Sequence, residues 1–132
     1  MATRIRQKAE KRAANKDKRP YAVAKGIRMS SSKVRIVLDN VRGKNVNEAV
    51  AILSYMPQAG AAEALKVLKS AIANAENNKG LSADNLFVAE CYSTSGAMMR
   101  RVKFRGRGRV DNRVLKRTCH ITFILDELKE AK

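Results

Sequence analysis

Apolar residues recur at helical spacing in three stretches between residues 34 and 72. Within each stretch they lie three or four positions apart, the spacing that places side chains on one face of an α-helix. The pattern therefore predicts three helices with these apolar positions: Val34, Val37, Leu38 and Val41 in the first, Val46, Val50 and Leu53 in the second, and Ala61, Leu65, Leu68 and Ile72 in the third.

Residues typical of helix ends bracket the same stretches. Serines 30–32 are N-cap candidates for the first helix, and Gly43 follows it as a C-cap residue should. Asn45 and Glu48 have the spacing of a capping box at the start of the second helix. A proline opens the third helix, which we expect to run to about residue 78 and to end at Gly80.

Three other segments have the period of two that is typical of β-strands. Residues 21–29 fit an edge strand that follows Pro20. In residues 86–93 the pattern predicts one face with Leu86, Val88, Glu90 and Tyr92, and the other with Phe87, Ala89, Cys91 and Ser93. In residues 117–125 the apolar face carries Cys119, Ile121, Phe123 and Leu125.

A basic segment at 96–116 separates the last two strands and is long for a hairpin loop. We expect both strands to continue outward as a two-stranded ribbon, so that a hairpin arm spans about 86–125. With about 12 residues on each side, the ribbon would reach about 40 Å. Met98 and Met99 are predicted at its apex, where little protein covers them, which indicates contact with a partner.

Charge is concentrated at two places in this 132-residue chain, which has a net charge of +16. Residues 1–28 hold 10 basic and 2 acidic side chains, and residues 96–117 hold 9 basic and 1 acidic side chain. Residues 29–95 are nearly neutral, with 7 basic and 6 acidic side chains. Such a charge favours a polyanionic partner and opposes self-association, so no homo-oligomer is expected. No stretch approaches the roughly 18 apolar residues of a membrane-spanning helix, and no signal-peptide core follows the N-terminus.

The arm has the chemistry of a phosphate-binding surface. Every second residue from Arg101 to Arg109 is basic, so five cations would share one face of a strand and repel each other. Seven of the nine basic residues are arginine, whose guanidinium pairs with phosphate. One aromatic residue, Phe104, is interleaved with them, so recognition of nucleic-acid phosphates and shape is favoured over stacking on bases. A folded RNA and an architectural DNA site both fit this composition.

Catalytic and metal chemistry find little support in the sequence. Cys119 and His120 are neighbours on a predicted strand and point to opposite faces. With Cys91 they are three candidate ligands, too few for a structural zinc site. Only Cys91 and His120 could form a nucleophile pair, and a buried thiol with a partly buried strand histidine is the favoured interpretation. We therefore expect no enzyme activity, cofactor or metal.

Residues 1–19 contain one branched apolar residue, Ile5, among Ala, Lys and Arg. They are predicted to be a basic tail that is disordered alone and helical when bound. An organelle-targeting peptide is the competing interpretation, but Glu10, Asp17 and the scarcity of serine disfavour it. Residues 20–126 form the predicted single domain, and 127–132 a short C-terminal tail.

Five sequence blocks resemble the large-subunit ribosomal protein family L twenty-two, of bacterial type. They are SSKVR at 31–35, VRGK at 41–44, LKSAIANAENN at 68–78, RGRGR at 105–109 and KRTCHIT at 116–122. The resemblance covers about residues 21–125. It implies an α+β fold, with three helices packed on a small three-stranded antiparallel sheet and a long protruding β-hairpin.

The resemblance also implies a function in the ribosome of the cytoplasm. The expected partners are large-subunit ribosomal RNA, neighbouring ribosomal proteins and the nascent chain, and the expected roles are assembly and lining of the nascent-peptide exit tunnel. Met98, Met99, Arg100 and Arg101 match the tunnel-lining hairpin tip. Together with the charge pattern, the resemblance predicts these RNA-binding residues: Arg19, Arg28, Ser32, Lys33, Arg35, Arg100, Arg101, Lys103, Arg105, Arg107, Arg109, Arg113, Lys116 and Arg117.

Overall fold

The computed structural model describes residues 2–15, 17–107 and 110–127. Within them the chain forms four α-helices and five β-strands. The helices are α1 (Ala2–Ala14), α2 (Ser31–Asp39), α3 (Val46–Tyr55) and α4 (Ala59–Lys79). The strands are β1 (Tyr21–Ile27), β2 (Leu86–Ser95), β3 (Met99–Arg105), β4 (Val110–Lys116) and β5 (Cys119–Glu127), and a 3-10 turn (Ala83–Asn85) precedes β2.

The three predicted helices correspond to α2, α3 and α4, and α1 is a fourth that the apolar pattern did not predict. The segment expected to be a disordered tail is thus helical over Ala2–Ala14. Its residues are mostly Ala, Arg, Lys, Gln and Glu, which have high intrinsic helix propensity without needing an apolar face. Arg6 and Glu10 form an i,i+4 ion pair, with Arg6 Nε 3.4 Å from Glu10 Oε1. Side chains 3–15 are all exposed.

The body of the protein contains a three-stranded antiparallel sheet with strand order β1-β5-β2. The central strand, β5, pairs with both neighbours, and β1 pairs with β5 alone, as predicted for an edge strand. Cys119, Ile121, Phe123 and Leu125 of β5 are all buried, which confirms the predicted alternation. Against this face pack α2 and α4, and the buried residues of α2, α3, α4 and the sheet form one core.

A β-bulge in β2 overturns the predicted alternation of residues 86–93. Val88 pairs with Leu125 and Glu90 with Ile124, so Ala89 is an extra residue on its strand. Leu86 and Val88 are therefore buried on the core side, whereas beyond the bulge the buried residues are Cys91 and Ser93. At this point Val88 also exchanges two 2.9 Å backbone hydrogen bonds with the Gly43–Lys44 loop.

Several helix ends lie at the predicted residues, but the predicted capping hydrogen bonds are not formed. Asn45 is the N-cap of α3, but its side chain makes no capping hydrogen bond, and Glu48 instead accepts from Lys44 Nζ at 2.5 Å. The predicted capping box is therefore wrong. Ser30 is likewise the N-cap of α2 without a side-chain bond. Gly80 ends α4 as predicted, and at φ +67° it has the left-handed conformation typical of a glycine at this position.

Candidate nucleic-acid interface

The basic arm is a separate two-stranded antiparallel sheet made of β3 and β4. Met99 lies opposite Lys116, and the pairing continues to Arg105 opposite Val110. Residues opposite one another point to the same face, so Arg101, Lys103 and Lys116 share one face of the hairpin. All three side chains are exposed. We call these three residues the cationic face.

The other face of the hairpin is partly apolar, which the sequence analysis missed. Phe104 is 72% exposed, Val102 50% and Leu115 41%. The register places Arg100 and Arg113 on this same side. The signal in the sequence is the set of apolar residues that alternate with the cations, Val102 and Phe104 among them. Both faces of the arm therefore combine cations with apolar side chains, since the exposed Met99 and Val114 lie on the cationic face.

The described part of the hairpin turn is Gly106 and Arg107, directly after β3. Both residues are in the left-handed region, Gly106 at φ +64° and Arg107 at φ +56°. Met98, Met99, Arg100 and Arg101 lie in the half of the hairpin nearer the body, so their predicted position at its tip is wrong. Of the predicted RNA contacts, Arg109 and the side chain of Arg105 lie outside the described part of the chain.

The hairpin joins the body through a tightly packed base. Residues 96–98 on one side face residues 117 and 118 on the other, so the ribbon is interrupted between β2 and β3. The Gly96 N–H donates to the Thr118 carbonyl at 2.9 Å, and Thr118 Oγ1 donates to the Ala97 carbonyl at 2.5 Å. His120 packs against Gly96, and its Nδ1 accepts from the Gly26 N–H at 3.0 Å.

The predicted cations of the body meet the hairpin at this base. Arg28 follows β1 and donates from Nη1 to the carbonyl of Arg117, which links the body to the end of β4. Arg28, Lys33 and Arg117 line a polar cleft of about 280 Å³ together with Ser30 at the start of α2. Ser32 and Arg35 are exposed on the same helix. The structure therefore brings cations from three separate segments together.

Arg19 has an environment different from that of the other candidates. Its Nη2 lies 2.6 Å from Asp17 Oδ2 and 2.8 Å from Glu90 Oε1. Hydrogen bonds to Asp17 and then to Glu90 raise the pKa of the Arg19 guanidinium above its usual value, and the same contact lowers the pKa of Asp17. Its charge is thus largely satisfied within the protein, where it ties the segment before β1 to β2.

The residues considered for catalysis are held apart. Cys91 Sγ donates to the Leu38 carbonyl at 3.3 Å, whereas His120 bonds to Gly26. Both cysteines are free and buried. Among the described residues, no group of three or more His, Cys, Asp and Glu side chains could hold a metal ion. In the same part of the chain no helix is long and apolar enough to span a membrane.

Comparison with known proteins decides which family this architecture represents. Residues 22–126 match the family model of ribosomal protein L22p/L17e. The chain belongs to this ribosomal protein family. It is 53% identical to the large ribosomal subunit protein uL22 of Clostridium novyi (strain NT) over 106 residues, which are 80% of this chain and 95% of that protein. The uL22 of Thermotoga sp. (strain RQ2) is 51% identical over 110 residues, 83% of this chain and 69% of that protein.

Membership in the L22p/L17e family confirms the resemblance seen in the sequence and the prediction of a non-catalytic ribosomal protein. The match includes the body, the hairpin base and the hairpin itself. Helix α1 and Arg19 lie before its first residue. The family match therefore includes the cationic face and the body cleft, but not the N-terminal helix.

Proposed function

We propose that this chain is a structural constituent of the large ribosomal subunit that binds the subunit's RNA through the hairpin, the body cleft and α1. The observation that carries the proposal is the cationic face, where Arg101, Lys103 and Lys116 lie together and exposed. Like charges in this arrangement disfavour the isolated hairpin, and RNA phosphates would neutralise them. The curated relatives are named as proteins of that subunit.

The N-terminal helix extends the same proposal. Five basic residues and one acid lie in α1, and every described side chain from Thr3 onward is exposed. Lys11 and Arg12 in its last turn interact favourably with the helix dipole. A helix with no apolar face to bury gains most from a polyanionic surface, so α1 serves as an RNA-binding extension that assists assembly.

The partly apolar hairpin face supports a second contact. In the proposed assembly the cationic face lies on RNA, and the end of the hairpin near Phe104 and Arg107 forms part of the wall of the nascent-peptide exit tunnel. Nascent chains expose apolar and polar side chains alike, and Phe104 is the most exposed aromatic residue of the arm. Met98 and Met99 lie nearer the body and are suited to contact neighbouring RNA or ribosomal proteins.

Sedimentation tests the proposal directly. A tagged full-length chain expressed in cells is expected in the large-subunit fraction of a lysate, and to stay there at moderate salt. Recovery with free soluble protein would contradict it. In a parallel binding assay at stated salt, ribosomal RNA fragments are expected to displace the protein from duplex DNA; preference for the duplex would indicate an architectural DNA-binding protein instead.

A further inference from the structure

An apolar groove lies next to the cationic cleft of the body. It has a volume of about 520 Å³, and Met29, Ile36, Gln58 and Gly60 line it. Ile36 lies one helical turn after Lys33. It is 64% exposed, although the next residue, Val37, belongs to the buried face of α2. The groove is large enough for a planar ring system, since ligand pockets commonly occupy about 300–1,000 Å³.

Gly60 allows α4 to pack closely against α2 at the edge of the groove. A Cβ at this position would lie 3.3 Å from Met29 Sδ and 3.5 Å from Val37 Cγ2. Without a side chain there, the first turn of α4 packs closely on Met29 and α2, and Met29 forms part of the lining. Gln58, the N-cap residue of α4, is exposed and makes no side-chain bond to its own helix, so its amide is available to a ligand.

The groove and the cationic cleft are adjacent, because Met29 and Lys33 line both. The cleft adds Arg28 and Arg117, and no acidic residue of the described chain lines either recess. In addition, α2 and α4 both begin here, without side-chain caps and without acids in the first turn. Helix N-termini of this kind favour anions. An apolar recess and an anion-binding recess thus lie side by side.

We propose that the two recesses together bind a single unstacked nucleotide of large-subunit ribosomal RNA, with its phosphate in the cationic cleft and its base in the groove. This inference rests on the proposed function, which supplies the RNA. Proteins recognise RNA chiefly where bases leave the stack and meet protein side chains. Charge complementarity selects a nucleotide over an apolar peptide, since Lys33 borders the groove and two arginines continue from it.

The test uses the full-length chain and large-subunit ribosomal RNA transcribed in vitro. Ile36→Ala and Gln58→Ala alter the groove alone, and Lys33→Gln alters the residue shared with the cleft. Tyr55→Ala and Lys69→Gln are matched controls, because both positions are exposed helical residues that line neither recess. The dissociation constant is measured over a range of salt concentrations, and base-specific chemical probing is performed on each complex.

Ile36→Ala is expected to weaken binding about tenfold, because the base loses apolar contact area. It should leave the slope of log K against log salt unchanged, since no phosphate contact is lost. Gln58→Ala is expected to weaken binding in the same way. Lys33→Gln is expected to weaken binding and to reduce that slope by about 0.7–0.9. One base protected in the wild-type complex should become reactive with Ile36→Ala, and both controls should match wild type.

The nucleotide site would be overturned if both groove variants kept wild-type affinity and wild-type base protections. This would hold even if Lys33→Gln weakened binding, because a phosphate contact in the cleft would be enough to explain that loss. That result would leave the proposed function intact. Failure of the wild-type chain to bind the RNA would overturn both. Thermal unfolding of each variant confirms that the fold is retained, which the exposure of Ile36 and Gln58 leads us to expect.

Discussion

Gly96 is the residue at which the chain leaves β2 for the hairpin, and a side chain there would be too close to its neighbours. A Cβ would lie 2.6 Å from Thr118 Oγ1 and 3.1 Å from Cε1 and Nε2 of His120. The Thr118 hydroxyl is itself held by the Ala97 carbonyl. We expect Gly96→Ala to lower the free energy of unfolding by about 1–3 kcal/mol, as overpacking does elsewhere, measured by urea denaturation.

The double variant with Thr118→Ala tests the cause of that loss. Removing the threonine hydroxyl takes away the closest contact, so Gly96→Ala should cost less in the Thr118→Ala background than in the wild type. Equal costs in both backgrounds would mean that the contact with Thr118 does not determine the effect.

The two cysteines are expected to be unreactive in the folded protein. Cys91 is 2% exposed and Cys119 0%. Burial raises the pKa of the Cys91 thiol, against a smaller opposite influence of Arg42, so less thiolate is present at any pH than in a free cysteine. A thiol-specific reagent should label neither residue promptly in the native state and both after unfolding in guanidinium chloride. Prompt labelling of the native protein would contradict this burial.

At the scale of elements, β5 is the strand on which the fold depends. It lies between β1 and β2, and Phe123 is the largest fully buried side chain in the described part of the chain. We expect Phe123→Ala to destabilise the protein by about 3–5 kcal/mol, because a large cavity forms beneath α2 and α4. The exposed Tyr55→Ala should stay within about 0.5 kcal/mol of wild type. Chemical denaturation measures both, and a similar loss in the two variants would argue against a core centred on β5.

The hairpin, in contrast, is expected to be dispensable for folding. All buried hydrophobic residues of the described chain lie outside positions 96–118. Replacing residues 97–117 with Asn-Gly, which favours a type I′ turn, would connect β2 and β5 directly. The melting temperature should fall by less than about 8 °C, equivalent to roughly 1 kcal/mol for a small domain. Loss of a cooperative transition would show that the hairpin stabilises the body.

The elements differ in how far the sequence could predict them. Helices α2 to α4 and strand β5 were predictable because burial imposes a regular period on their apolar residues. The bulge at Ala89 was not, since one inserted residue shifts the faces of β2 without changing its composition. The position of the hairpin turn depends on two left-handed residues, Gly106 and Arg107, and the alternation of basic residues carries no information on it.

On the scale of the whole molecule, the structure separates cations that act within the protein from cations that face outward. Arg19 and Arg42 are examples of the first kind: Arg19 joins Asp17 to Glu90, and Arg42 donates to the Cys91 carbonyl at 3.0 Å. The sequence placed Arg19 among the RNA-binding residues because charge counts carry no information on partners. The outward-facing cations include those on α1, at the hairpin base and on the cationic face, and these three regions are the proposed RNA contacts.

This distribution predicts that the position of a charge matters more than the net charge. Replacing Arg101, Lys103 and Lys116 with Gln removes three charges from the cationic face; replacing Lys66, Lys69 and Lys79 with Gln removes three from α4. The first variant should reduce the salt slope of ribosomal RNA binding by about 2–3, at roughly 0.7–0.9 per lost phosphate contact, and the second should leave it near wild type. Because both variants carry the same net charge, an equal reduction in both would mean that RNA responds to the overall field, and that the cationic face makes no specific phosphate contacts.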